Sequence, residues 1–449
     1  MEECRKTIDK IRSVIVVPFA LILIEAAFLL YAASRGKADL YLKAAVPMYL
    51  VLLVIYIFAG IIGANERIVI WTSLLLTIGM FMQILLIRQT GDEKNAAAAE
   101  LVRNLFLGLG AAVLMAVFML AVYGHYYDAM IKILIILNFV LVLVMLAFGG
   151  GVTGDGSRIN LLGVQPLELV KLCYLFVLAG LLCKPERRNR RLWGLRRSVL
   201  AILYMLVNAA CFLLLKELGT LLILTCTGLC FLFIFCEERK DFMMALLFHA
   251  AAALAGTFLA VFKITEVGRR LNSRFLYFLD PSKDAYGEGF QYIQMKKALA
   301  VSGWFGADAP RYKFHMAAEK NDVVFARLIQ VSGLLLAAVV IACYILLLLE
   351  GYKAACRSSD LYYRGLAMGI SIMLAFQGIV HIACNVGMFP ITGVPLLFIS
   401  KGGSNQMVSL IITALLLIIS TKGMKRAESD ENEFEEEKDY GRKIQKFFR

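Results

Sequence analysis

Twelve runs of about twenty mostly apolar residues dominate this 449-residue chain, at approximately 13–33, 44–64, 68–87, 105–123, 131–149, 167–183, 199–215, 219–236, 243–262, 324–349, 363–384 and 404–421. Each is long enough to cross a bilayer as a helix. Hydrophobic residues are 60% of the chain and charged ones 18%, against roughly 45–50% and about 25% in soluble domains. One soluble core cannot hide that excess, because a chain this long would split into domains and expose more surface. The 8 prolines and 35 glycines follow no period, which excludes a collagen-like or low-complexity chain. The expectation is an all-α, polytopic membrane helix bundle of about twelve helices. The sixth run carries Glu168 and Lys171 near its start, and the last could begin nearer Leu396. The first follows Arg5, Lys6, Lys10 and Arg12 and exceeds the h-region of a signal peptide, so it reads as an uncleaved anchor.

Lys and Arg in short loops set orientation. The loop 184–198 holds Lys184, Arg187, Arg188, Arg190, Arg191, Arg196 and Arg197. Placing it in the cytoplasm puts both termini, Glu237–Asp241 and the loop 350–362 inside as well. The tail beyond Thr421 has an acidic run, Glu428–Glu437, that closes on the basic Arg442–Arg449, and reads as a solvated or loosely surface-bound segment. The division expected is N-terminal helices over 1–130, a membrane core over 131–421 and a charged tail over 422–449.

Residues 263–323 then form a loop of about sixty residues on the outer face, with ten cations: Lys263, Arg269, Arg270, Arg274, Lys283, Lys296, Lys297, Arg311, Lys313 and Lys320. Long loops escape the positive-inside rule, so the orientation stands. Net charge is 47 − 34 = +13, which in this class of protein points to anionic lipid or phosphate rather than nucleic acid. The loop's charge fits either phospholipid headgroups or a phosphate-bearing ligand. Gly287, Gly289 and the aromatics Phe278, Tyr286, Phe290 and Tyr292 suggest an ordered segment rather than a tether. The ten cysteines lie mostly in apolar runs without a C-x-x-C, and only four histidines occur; neither a disulfide scaffold nor a structural metal site is expected.

Two architectures suit these features. A two-halved secondary transporter would use intramembrane charges such as Glu25, Glu168, Lys171, Lys216 and Glu217, but the halves differ in hydropathy, and nothing after the third span matches the long loop. Glu25 reads more simply as a structural contact or a lipid-edge residue. The other architecture is a membrane enzyme working at the outer face. Asp322 stands where the basic loop meets the apolar run Val323–Leu349. Its carboxylate could act as a general base, or serve as the N-cap of the tenth span.

Five segments, in order, bear on that choice. Gly163-Val164-Gln165-Pro166-Leu167-Glu168-Leu169-Val170-Lys171 resembles the Q-P-S-E-x-x-K signature of the shape, elongation, division and sporulation family, the RodA, FtsW and SpoVE proteins. Lys216-Glu217-Leu218-Gly219-Thr220 stands at the family's D-L-G-T turn. Arg274 to Asp280-Pro281 and then Gly289-Phe290-Gln291 resemble its R…D-P…G-Y-Q stretch. Glu319 to Ala326 resembles E-x-H-T-D-F-I-F-A. Gly387 to Pro395, with Phe398-Ile399-Ser400-Lys401-Gly402-Gly403-Ser404, resembles its closing G-x-x-P-x-T-G-x-P-x-x-F-x-S-x-G-G-S motif. The resemblance covers about 135–421. Leu167 replaces a serine, Lys216 departs from the entry to the turn, and Glu319 lies one residue nearer to Asp322 than the pattern has it.

The resemblance implies a ten-helix core, here with two extra N-terminal helices, and peptidoglycan glycosyltransfer: lipid II, a disaccharide-pentapeptide on undecaprenyl pyrophosphate, polymerised at the outer face of the bacterial cytoplasmic membrane. It implies Asp322 as the base or essential acid, Arg270, Arg274, Lys296 and Lys297 as candidates to hold the pyrophosphate, and Glu168 with Lys171 as a structural or substrate-groove pair, since residues three apart share a helix face. A divalent cation would stabilise the same leaving group; the sequence does not demand one, and no cofactor is expected. The implied partner is a single-span class B penicillin-binding transpeptidase. A lipid-linked precursor flippase and a catalytically silent scaffold are the other readings.

Overall fold

The computed structural model describes residues 19–87, 92–122, 127–148, 165–183, 191–193, 195–236, 238–262, 266–307, 314, 316 and 318–421. The first cationic stretch, Lys184 to Arg190, Lys263, Arg311, Lys313 and the charged tail lie outside them, as does the side chain of Arg270. Twelve helices fall on the twelve apolar runs: α1 (Phe19–Ser34), α2 (Ala38–Ile62), α3 (Glu66–Leu85), α4 (Asp92–Val122), α5 (Tyr127–Phe148), α6 (Pro166–Leu182), α7 (Arg197–Leu214), α8 (Leu218–Phe235), α9 (Arg239–Val261), α12 (Val324–Arg357), α13 (Leu361–Asn385) and α14 (Gly403–Thr421). Among the described residues, ten are long and apolar enough to cross a membrane; α1 and the 17-residue α6 are shorter. The long loop supplies α10 (Glu266–Leu279), a 3-10 turn at Pro281–Asp284 and α11 (Glu288–Ala300), so it is built rather than trailing.

Local chemistry sets the helix ends. Pro166 opens α6, where its missing N–H costs nothing. Asp360 caps α13 by accepting from Tyr362 N at 2.9 Å and Tyr363 N at 3.3 Å. Gly63 closes α2 in the left-handed region, at φ 67°. Alternation then sorts the connections onto two faces. On one lie the hairpin of β1 (Arg191–Leu192) and β2 (Leu195–Arg196), the α8–α9 and α12–α13 turns, and the end of α14. Asn65, in the α2–α3 turn, reaches two of these: its N–H donates to Ser420 Oγ of α14 at 3.1 Å and its Nδ2 to Glu350 Oε2 of α12 at 2.6 Å. The long loop and the entrances of α4, α6, α8, α12 and α14 share the opposite face.

Helix α6 sits at the centre. Fourteen of its residues are buried, as expected of a helix apolar on every side. The tenth expected span is broken. At Gly333 the backbone of α12 turns to φ 87°, ψ 173°, and the turn 303–307 replaces the lost helical bonds: Ala307 N donates to Gln330 O (2.8 Å), Leu334 N to Gly303 O (3.1 Å) and Leu335 N to Trp304 O (3.2 Å). A side chain at Gly333 would meet the Trp304 carbonyl, and only glycine takes this φ without strain.

Candidate active site: a polar cavity under the long loop

Between α13 and α14 the chain does not stay helical. Residues 386–402 dip back into the bundle, and Leu396, Leu397, Phe398, Ile399 and Ser400 are all buried. Irregular backbone at this depth must find partners within the protein, and polar side chains on the surrounding helices supply them. Gln83 Nε2 donates to Ile399 O (2.9 Å) and Lys320 O (3.0 Å). Gln377 Nε2 donates to Pro395 O (2.8 Å), and His381 Nδ1 lies 2.7 Å from Val394 O. Asn405 Nδ2 donates to Ser400 O (2.9 Å), and Ser409 Oγ accepts from Phe398 N (2.9 Å). Tyr344 Oη donates to Leu397 O. The polar residues scattered through otherwise apolar helices thus hold one re-entrant segment in place.

That segment forms a wall of a cavity of about 280 Å³. Glu100, Arg103 and Asn104 line it from α4, Gln165, Leu167 and Glu168 from the entrance of α6, and Glu217 and Thr220 from that of α8. Asn321 and Asp322 reach it from the turn before α12, Gly393–Pro395, Lys401 and Gly402 from the re-entrant segment, and Gly403–Asn405 from the start of α14. Gly219 permits the close fit of α8, since a Cβ there would stand 2.6 Å from Val394 Cγ2 and 2.8 Å from Thr392 Cβ.

Asp322 is not the cap of α12. That position belongs to Val323, which offers no side-chain bond; Asn385 of α13 does the capping instead, its Oδ1 accepting from Ala326 N at 2.9 Å. The same amide donates from Nδ2 to Asp322 O at 2.9 Å. Two further bonds pin the turn to the re-entrant segment: Lys401 N donates to Lys320 O (2.8 Å) and Ser400 Oγ to Asn321 O (2.9 Å). Asp322 is therefore fixed by its backbone, with its side chain in the cavity wall.

Glu168 and Lys171 pair at 2.7 Å with side chains only 1% and 2% exposed, and Lys171 Nζ also donates to Gln377 Oε1 at 3.4 Å. Glu168 faces the cavity while Lys171 stands behind it and reaches the helix that supports the re-entrant segment. Of the cations singled out in the loop, Arg274, Lys296 and Lys297 stand elsewhere. Lys296 and Lys297 are exposed on α11, because Tyr292, Met295 and Ala298 form the buried face of that helix. Arg274 is half-buried on α10, close enough to Tyr292 to act on its phenol, and does not line the cavity. Arg270 belongs to the same helix. Glu319 pairs with Arg327 at 3.5 Å.

The cations in the cavity wall are Arg103 and Lys401, which sequence reading did not single out; Lys401 Nζ meets Glu100 Oε2 at 3.0 Å. Glu100 and Arg103 lie three apart at the start of an apolar helix, a pattern that reads as an interfacial rim until the fold brings residue 401 beside it. Among the described residues no group of three or more His, Cys, Asp and Glu is arranged to hold a metal ion.

The long loop packs onto this site. Tyr292, Met295 and Ala298 of α11 form a small core with Phe314, Met316, Val323 and Ala326. Tyr292 Oη accepts from Ile391 N at 3.0 Å. Burial raises the Tyr292 phenol above its ordinary value, opposed by that hydrogen bond.

Fold and site together define a polytopic helical membrane protein with four acidic residues, Asp322 among them, and two cations lining one cavity beneath its longest loop. The chain belongs to the FtsW/RodA/SpoVE family, described as cell cycle proteins, whose pattern matches residues 65–425. Helices α1 and α2 precede that range, and the match begins well ahead of the motif resemblance. Among its relatives is stage V sporulation protein E of Bacillus subtilis, 28% identical over 360 residues that make up 78% of this chain and 95% of that protein. A probable peptidoglycan glycosyltransferase FtsW of Thioalkalivibrio sulfidiphilus is 31% identical over 69% of this chain and 77% of the relative. The fold is shared with a chain of a solved peptidoglycan synthase complex (TM-score 0.61, 23% identity, 80% of this chain and 98% of that one). It is also shared with the rod shape determining protein RodA of Thermus thermophilus (TM-score 0.51, 21% identity, 80% and 96%).

Proposed function

We propose that this protein is a peptidoglycan glycosyltransferase that polymerises lipid II at the outer face of the bacterial cytoplasmic membrane, with both termini in the cytoplasm. The observation that carries this reading is the meeting of Asp322, Arg103 and Lys401 in one cavity beneath the long loop. In the reaction the bond from the donor sugar's anomeric carbon to the diphosphate breaks, and a bond from that carbon to an acceptor hydroxyl forms. The acceptor's proton passes to the Asp322 carboxylate as general base. The polyprenyl diphosphate leaves with the pair of electrons, and the cations of the cavity, Arg103 and Lys401, lower the cost of its charge. Glu168 and Lys171 hold the cavity wall. Arg270, Arg274, Lys296 and Lys297 are assigned to the approach of the anionic lipid headgroup across the membrane surface, where several cations attract anionic lipid additively.

Arg191, Arg196 and Arg197, the described cations of the basic loop 184–198, lie on the face opposite the cavity and support the orientation. The relatives' names support the activity, and the synthase-complex neighbour supports a partnership with a class B penicillin-binding transpeptidase. The test is full-length protein in phospholipid vesicles supplied with labelled lipid II. Glycan polymer from the natural chain, lost in Asp322→Ala, is the expected result; transfer of lipid II between leaflets without polymer, unaffected by Asp322→Ala, would make it a flippase.

A further inference from the structure

Two Lys–carboxylate pairs stand at the cavity, and they differ in how easily they break. Glu168–Lys171 is sealed, at 1% and 2% side-chain exposure; separating it would leave a buried charge alone, which is strongly destabilising. Glu100–Lys401 is 40% and 29% exposed, and a pair screened by solvent to that degree contributes little. Lys401 also carries a compact charge on a flexible four-carbon stem, while its backbone is bonded to Lys320, two residues from Asp322. Its anchor is therefore fixed and its ammonium movable.

We propose that Lys401 is a positioning residue for the donor's diphosphate, exchanging its ion pair with Glu100 for the phosphate oxygens when the lipid-linked sugar enters the cavity. Glu100 is then a competitor for the ammonium, parking it and deterring anions that bring too little charge to displace the carboxylate. A diphosphate displaces Glu100 more readily than a monophosphate because it carries more charge and more acceptor oxygens. This assignment rests on the glycosyltransferase reading for its ligand, and binding can be measured apart from turnover.

The experiment is equilibrium binding of undecaprenyl diphosphate, with undecaprenyl monophosphate as the comparison, to full-length protein in neutral phospholipid vesicles. Lys401→Gln should weaken diphosphate binding at least tenfold and monophosphate binding less, and Lys401→Arg should stay within about threefold of the natural chain. Glu100→Gln should tighten diphosphate binding about two- to threefold, since it removes the competitor. A pair that merely braces α4 against residue 401 predicts the reverse sign for Glu100→Gln: both neutral variants would bind more weakly and unfold at lower temperature. That result, or unchanged binding in a folded Lys401→Gln, overturns the proposal. Should Lys401→Gln not fold, the sign of the Glu100→Gln effect decides alone. Natural protein that binds diphosphate but makes no polymer from lipid II would overturn the activity reading instead, with the binding series still judging Lys401.

Discussion

Asn385 holds Asp322 from the side: one amide donates to the Asp322 carbonyl and accepts from Ala326, each at 2.9 Å. It thereby caps α12 and sets the height of the carboxylate in the wall. Asn385→Ala should lose roughly 1–2 kcal/mol of stability, the worth of a cap and a hydrogen bond. It should also lower polymer yield beyond what the unfolded fraction explains. Asn385→Asp keeps the acceptor and discards the donor, so it should retain the cap yet share the activity loss. Thermal unfolding in detergent beside initial polymerisation rates checks both.

Asp322→Asn keeps the size of the side chain and removes its basicity. The polymerisation rate should fall roughly 10²–10⁴-fold, the usual range for a general base, with lipid II binding changed no more than about threefold. Equal losses of rate and binding would make Asp322 a binding group.

The sealed pair at 168 and 171 should show strong non-additivity. Glu168→Gln or Lys171→Met alone leaves one buried charge without its partner and should cost about 3–5 kcal/mol. The double variant should recover much of that in thermal unfolding. Additive losses would mean that the two residues act independently.

Gly219→Ala tests the fit of α8 against the re-entrant segment. The added methyl would press on Thr392 and Val394, so roughly 1–3 kcal/mol of overpacking is expected, together with faster proteolysis of the α13–α14 connection.

Tyr292 makes the contact between α11 and Ile391 depend on alkaline pH. Its folded pKa is raised by burial, so the fold prefers the protonated phenol. The stabilisation is intact below the unfolded value near 10 and is lost as pH rises through the folded value. Protease protection of the loop should fall above about pH 10 in the natural chain and lose that pH step in Tyr292→Phe.

Hydropathy made the twelve apolar helices legible, ten of them long enough to span a membrane, because an apolar run of that length has one low-energy solution. Asp322 was legible too, as a charge at the edge of such a run. The tenth span hid its break, since Gly333 lies in a sequence as apolar as its neighbours and only the turn 303–307 explains the opening. The cavity's cations were illegible for another reason. Glu100 and Lys401 meet across 301 positions of sequence, whereas the dense charge at Lys296 and Lys297 advertises itself locally and faces outward. A usable signal did exist in Gln83, Gln377, His381 and Asn405: four polar residues within apolar runs marked carbonyl groups that no helix was going to satisfy.

The opening at Gly333 has a mechanical consequence. It divides α12 into a long shaft and a short upper piece, 324–332, and the turn at 303–307 bonds to both: it donates to the Gln330 carbonyl of the upper piece and accepts from the Leu334 and Leu335 amides of the shaft. Tyr31 of α1, a helix outside the family's matched range, bonds the Val331 carbonyl at 3.1 Å beside that joint. A force on the shaft is therefore shared with the turn at 303–307, whereas a pull on α1 bears directly on the piece that begins two residues after Asp322.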